Sequence, residues 1–374
     1  MPSAVYVHIP FCRIRCPYCD FDAYRAPRRA IEGHTEALLA EIASRRHELR
    51  PITTLYFGGG TPTTAGAAGL RAVIDALRAA PGIVPESEVT VEANPTPRDA
   101  AIFGELQDLG VTRVSLGVQS FTDRLLPMLG RDHSATEAAE VIDRALRLGL
   151  EVSLDLMCGV PGQTMADWSS DLATAVGLAP GHISVYMLTL EAGTRYERLH
   201  AGGRLELPGE DEQADMYEAA LEWLGAAGYD HYEVSNLALP GRQSRHNRVY
   251  WENREYAGFG AGASSFVAGQ RWTNENHPTA YAEAIRSGAR SLSLLERLPP
   301  ERAMRETLAL GLRLLEGVDL TAVRERYGAE RLARMLPVLQ SLAARELVTV
   351  AGRAALTRRG LMLYDGVAAE ILAP

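Results

Sequence analysis

Long apolar runs are missing from this 374-residue chain. Nothing approaches the roughly 18 consecutive apolar residues of a membrane-spanning helix, so a transmembrane protein is not expected. Extended basic stretches are missing too. Lys and Arg total 38 against 47 Asp and Glu, the net charge is −9, and basic residues gather no further than pairs such as Arg28-Arg29, Arg45-Arg46 and Arg358-Arg359. A nucleic-acid partner is therefore not expected. The opening segment MPSAVYVHIPFC carries neither a charged leader nor an apolar signal core, and the expected location is the cytoplasm. Cysteine is scarce, four in all, and in the cytoplasm disulfides are rare. Three of the four nevertheless fall within eight residues, at Cys12, Cys16 and Cys19. In a reducing compartment, thiols grouped in this way are metal ligands or redox groups rather than staples.

What is present is a core-forming composition, 47% hydrophobic, enough for one large domain and a small one. Six short β-branched or alternating runs recur: AVYVHI (4 to 9), TTLYF (53 to 57), VTVEA (89 to 93), RVSLGV (113 to 118), EVSLDLM (151 to 157) and ISVYML (183 to 188). Between them lie amphipathic segments, such as Leu70, Val73, Ile74 and Leu77, or Ile31, Leu38, Ile42 and Leu49, at helical spacing. Thr96-Pro97 and the pair Ser134 and Glu137 read as helix starts, and Gly110, Gly149 and Gly228 as helix ends. Alternating strand and helix predicts a parallel sheet with crossover helices. Six units predict an α/β fold of incomplete (β/α)6 TIM-like barrel type, with a doubly wound sheet as the second reading. The barrel is favoured because each repeat carries its polar or glycine-rich feature at or just past its strand, which would gather them at one end. Beyond about Gly269, helical patterns followed by the strand pair LVTVAG and AALTRRG predict a helical, winged-helix-like module packed against the barrel. The expected division is 1–268 and 269–374.

Cys12, Cys16 and Cys19 form CxxxCxxC, with Pro17 blocking regular helix inside it. Three thiolates on one tight loop can hold three corners of a [4Fe-4S] cluster and leave one iron open to an outside ligand. Structural zinc usually takes four protein ligands, often as two separated pairs, and no fourth is obvious here; zinc stays open as the second reading.

CRIRCPYC, with Tyr18 just before the third thiol, resembles the signature of radical S-adenosylmethionine (SAM) proteins. The resemblance implies that the open iron chelates SAM, that the cluster passes one electron to the sulfonium, and that C–S cleavage gives a 5′-deoxyadenosyl radical. It implies further that Gly59, Gly60 and Thr61 of TLYFGGGTPT lie close to SAM with a bare backbone, and that Glu92 accepts the ribose hydroxyls. Gln119, Arg131, Asp155, Tyr6 and Tyr18 are implied SAM contacts. Read without the family, GGG is a tight turn, Glu92 a strand-end capping acid and Arg131 a surface arginine. Asp155, an acid in an apolar strand, demands a partner.

The resemblance runs through nearly the whole chain and reaches two neighbouring branches, the oxygen-independent coproporphyrinogen III dehydrogenases and the HemW-type haem chaperones. In the dehydrogenases the motif extends to a fourth cysteine two residues after the third; here that position is Phe21, which has no thiol chemistry. They also carry a longer N-terminal extension, whereas this sequence begins five residues before Tyr6. RHNRVYW resembles the HNxxYW motif of the chaperone branch and implies a haem site at His246, Asn247, Tyr250 and Trp251, with His246 first among candidate iron ligands. On the residues alone, a histidine beside aromatics is a core or surface residue with a satisfied hydrogen bond. His8 is expected to hydrogen-bond near the cluster loop. Cys158, where the group carries tyrosine, is expected to be a small buried hydrophobe. The expected role is binding haem and transferring it to haem-accepting proteins, with porphyrinogen decarboxylation as the alternative. A flavodoxin- or ferredoxin-like electron donor is implied.

Overall fold

The computed structural model describes every residue except Ser291 and Pro374. The six runs form strands β1 (Ala4–Ile9), β2 (Ile52–Gly59), β3 (Ile83–Ala93), β4 (Arg113–Gln119), β5 (Glu151–Cys158) and β6 (His182–Met187). Each is hydrogen-bonded in parallel to the next, in chain order. Helices α1 (Arg28–Arg45), α2 (Gly66–Ala79), the short α3 (Pro97–Ala100) and α4 (Phe103–Asp108), α5 (Ala135–Arg147) and α6 (Met165–Leu178) make the crossovers. Helices α7 (Arg195–Ala201) and α8 (Glu210–Ala226) follow β6. Their ends carry the expected chemistry. The Ser134 N–H donates to Glu137 Oε2 (2.8 Å) while Ser134 Oγ accepts from the Glu137 N–H (3.2 Å), closing a capping box at α5. Thr96 Oγ1 accepts from the Asp99 N–H at α3.

Side-chain alternation decides what each strand face does. Val5, Val7, Ile9, Leu55, Phe57, Val114, Leu116, Leu154 and Leu156 are at most 1% exposed and pack under the helices. The residues between them turn to the concave face. Thr90 and Glu92, Arg113 and Ser115, Ser153 and Asp155, and His182 and Ser184 line one inner cavity of about 70 Å³. The barrel interior is therefore polar, which leaves room for ligand chemistry at the strand ends.

The cylinder stays open. Antiparallel strands β7 (Asp230–Glu233) and β8 (Asn236–Ala238) extend the sheet beyond β6. After helix α9 (Arg245–Trp251), strand β9 (Tyr256–Phe259) joins β1 in parallel, and β10 (Ser264–Val267), β11 (Gln270–Asn274) and β12 (Leu292–Arg297) continue as an antiparallel meander, with α10 (Pro278–Arg286) between the last two. The result is one twelve-stranded sheet with β12 and β7 at its edges. This corrects the division expected at 268/269, which would cut the sheet between β10 and β11. A second apolar core starts only at Met304. We propose the division after Arg297.

Beyond it, α11 (Pro300–Gly311), β13 (Val318–Asp319), α12 (Leu320–Tyr327), α13 (Ala329–Ala344), β14 (Val348–Val350) and β15 (Arg353–Leu356) run in winged-helix order, closed by α14 (Arg358–Met362) and α15 (Tyr364–Leu372). Met304, Leu308, Met335, Leu339 and Ile371 are fully buried within this unit. It docks on the β7 edge through backbone bonds, Val234 N–H to Arg313 O (3.0 Å) and Leu315 N–H to Tyr232 O (3.1 Å), which pair an otherwise open strand.

Candidate active site at the cysteine loop

The loop between β1 and α1 is closed at its neck by backbone bonds: the Tyr24 N–H donates to Pro10 O (2.8 Å) and the Cys12 N–H to Tyr24 O (3.1 Å). Inside it, the Cys19 N–H donates to Cys16 O (3.2 Å), a turn that brings the last two thiols together. Cys12, Cys16 and Cys19 are free, half-buried and open onto one cavity of about 370 Å³ at the C-terminal end of the parallel strands. That volume suits a ligand of nucleotide size. Burial pushes the Cys12 and Cys19 thiols up.

The other expected residues line the same cavity: Tyr18, Gly59, Gly60, Thr61, Glu92, Gln119, Arg131 and Asp155. Tyr6 lies one layer deeper, stacked on Tyr56 with its hydroxyl 2.9 Å from His8 Nδ1. The glycine segment is bare because its surroundings leave no room. A Cβ on Gly60 would sit 2.6 Å from Phe11 O and 2.8 Å from Phe11 N, backbone atoms next to Cys12; one on Gly59, at φ +110°, would strike the His8 ring at 2.6 Å. His8 Nε2 is buried without a partner, and burial holds the imidazole near 4, neutral at physiological pH.

Arg131 ties the site together. Its guanidinium donates to Cys16 Sγ (3.5 Å), to Asn94 Oδ1 (2.8 Å) and to Gly117 O. Thr61 Oγ1 sits 3.5 Å from Cys12 Sγ and accepts from Asn94 Nδ2 (3.3 Å). Glu92 is held by the Tyr56 hydroxyl (2.8 Å), and burial raises it to about 7 against that bond. Burial likewise raises Asp155 to about 6, opposed by Ser184 and by the Arg131 charge. Gln119 ends β4 with φ +68°, so its side chain leaves the strand rhythm at the cavity. The sequence reading missed Asn94 and Tyr56. Asn94 follows Glu92 by two residues and Tyr56 precedes the glycine run, so strand period was the available signal for both.

These residues fit a three-thiolate cluster with a nucleotide beside it: open thiols, a bare backbone, a carboxylate acceptor and a guanidinium share one cavity. Phe21 stands 60% exposed at the rim, where it offers a flat apolar surface and no sulfur. Cys158 faces the helices, fully buried, with its Sγ 3.6 Å from Tyr186 O, and burial pushes it up to about 12.

His246, Asn247, Tyr250 and Trp251, the residues expected at haem, lie on α9, away from the cysteine loop. Helix α9 plugs the opposite end of the sheet, its first N–H groups donating to the Glu88 carboxylate (2.9 and 3.0 Å). His246 is 1% exposed, with Nδ1 2.9 Å from Thr54 Oγ1 and Nε2 2.8 Å from the Tyr250 hydroxyl. Both nitrogens are therefore engaged, and burial lowers the ring to about 3. The Tyr56 ring stacks on it at 5.2 Å. Asn247 faces the small inner cavity, and Trp251 lies 4.3 Å under the Arg313 guanidinium. His246 is thereby buried with both ring nitrogens engaged, whereas Asn247, Tyr250 and Trp251 are half-buried.

Comparison with known proteins agrees with the cavity. Residues 6–175 match the Radical SAM superfamily and residues 298–363 the HemN C-terminal domain. A protein named heme chaperone HemW from Synechocystis is 38% identical over 347 residues, 90% of this chain and 84% of the relative. Heme chaperone HemW from Bacillus subtilis is 35% identical over 370 residues, 98% of each chain. Coproporphyrinogen III oxidase (HemN) from Escherichia coli superposes with a TM-score of 0.85 at 21% identity, covering 99% of this chain and 90% of its own, a likeness of fold.

Proposed function

The chain belongs to the family of the HemW haem chaperones within the radical SAM superfamily, and on that premise we propose that it binds haem and hands it to haem-accepting proteins. Membership implies a [4Fe-4S] cluster and SAM, which together supply reductive cleavage of the sulfonium. The chain's residues do the rest. Cys12, Cys16 and Cys19 hold the cluster, and Arg131 orients the Cys16 sulfur. Glu92 takes the ribose hydroxyls, Gly59 to Thr61 give the methionine end a backbone surface, and Tyr18, Gln119 and Asp155 bound the nucleotide. Tyr6 acts from below, by fixing the His8 ring under Gly59. Among the described residues no helix is long and apolar enough to cross a membrane. We place the protein in the cytoplasm, with a flavodoxin- or ferredoxin-like donor for the cluster.

The observation that carries the chaperone reading over the dehydrogenase one is near-full-length identity to HemW relatives, joined to a site in which Phe21 stands where decarboxylation wants a thiol. One anaerobic, cluster-loaded preparation assayed two ways tests it. Stoichiometric haem uptake and no conversion of coproporphyrinogen III to protoporphyrinogen IX are expected; turnover of the porphyrinogen would reverse the assignment.

A further inference from the structure

The cysteine loop has a second side. Away from the nucleotide cavity it borders an open groove of about 660 Å³, closed by the 127–130 turn and by α7. Ile14, Met128 and Leu199 wall it, and Arg15, Arg195 and Arg198 stand around it. No Asp or Glu is among the described residues that line it, in a chain whose net charge is −9. Arg195 and Arg198 are exposed and three apart on α7, hence on one helix face. Arg198 spends one N–H on Gly193 O (2.7 Å). The helix is fixed against the loop: Thr194 caps it, and the Tyr196 N–H donates to Pro17 O (3.0 Å).

We propose that this groove is the haem seat, with the propionates taken by Arg15, Arg195 and Arg198 and the macrocycle laid against Ile14, Met128 and Leu199. The assignment rests on the haem-binding function proposed above and gives it a location. The ligand it fits is flat, largely apolar and doubly carboxylated at one edge. Guanidinium forks suit carboxylates, apolar walls suit the ring, and the groove lies within the 300–1,000 Å³ range typical of ligand clefts. Its openness suits a cargo that must leave toward an acceptor protein. Ile14, Arg15, Cys16, Cys19 and Gly130 border both the groove and the nucleotide cavity, so an occupant would touch the loop that holds the cluster.

The test uses the cluster-loaded full chain, titrated with haem b and followed by Soret absorbance. The double variant Arg195→Glu/Arg198→Glu should bind haem at least tenfold more weakly, with cluster iron content and SAM affinity unchanged. Haem dimethyl ester, which lacks the carboxylates, should bind the unaltered chain at least tenfold more weakly than haem, an arm that needs no mutation. If the unaltered chain binds haem and both the variant and the ester match it, the groove is overturned while the chaperone function stands. If the unaltered chain takes up no haem, the function falls first and the groove with it.

Discussion

Glu92→Gln separates what this carboxyl costs the fold from what it gives the ligand. Burial raises Glu92 from 4.5 to about 7, the nearby Asp155 charge adds to the rise, and the Tyr56 hydroxyl opposes it. An acid raised by folding favours the protonated folded state. Its contribution to stability is intact below the unfolded value of 4.5 and is lost as pH climbs through about 7. At about 1.4 kcal/mol per pH unit, that interval is worth roughly 3 kcal/mol well above pH 7. Glutamine stays neutral and still offers Tyr56 an acceptor. In SAM-free protein, the variant should match the parent at pH 4.5 and exceed it at pH 8.5 by up to about 3 kcal/mol, read as a thermal midpoint several degrees higher. SAM affinity should move the other way. Hydrogen bonds to a charged acceptor are worth about 1.5–3 kcal/mol, so equilibrium dialysis on cluster-loaded protein should show roughly 10- to 100-fold weaker binding. A variant less stable than the parent at pH 8.5, or one with unchanged SAM affinity, would refute the reasoning.

Replacing Cys12, Cys16 or Cys19 by Ala should each abolish the cluster while the chain stays folded, and full iron and sulfide content in any of them would remove that residue from the ligand set. Gly60→Ala pushes a methyl into the Phe11 backbone beside Cys12; cluster iron per chain should fall well below the parent's at unchanged far-UV circular dichroism. His246→Leu leaves Thr54 and Tyr250 without partners and should cost about 1–3 kcal/mol for each group stranded, measured by denaturant titration. Because burial holds His246 near 3, its contribution to stability is full above pH 6.5 and drains away as pH falls toward 3, so the parent should lose more stability than the variant between pH 7 and 4. The Soret spectrum of bound haem should be the same in both; a changed spectrum in a folded variant would reinstate the imidazole as an iron ligand.

Much of the fold was legible because strand and helix periods are local. All six strands of the parallel array lie where alternation put them, and the capping box at Ser134 follows from two side chains three residues apart. The open edges and the domain division were not legible, since β9 to β12 are set by pairing with β1 and with each other, contacts between residues as far apart as Ala4 and Tyr256. The cavity was legible as a set of residues, each at its strand end. What stayed hidden was how they hold one another: Arg131 reaching Cys16 across 115 positions, or Asn94 bridging it to Thr61. His246 shows what a motif leaves open. A histidine among aromatics has the same letters whether it faces a ligand or a buried threonine.

The neck formed by Pro10, Cys12 and Tyr24 makes residues 11 to 24 a stitched pouch whose seam is peptide backbone and spends no thiol. Each Cys→Ala change therefore leaves the donors and acceptors of that seam in place.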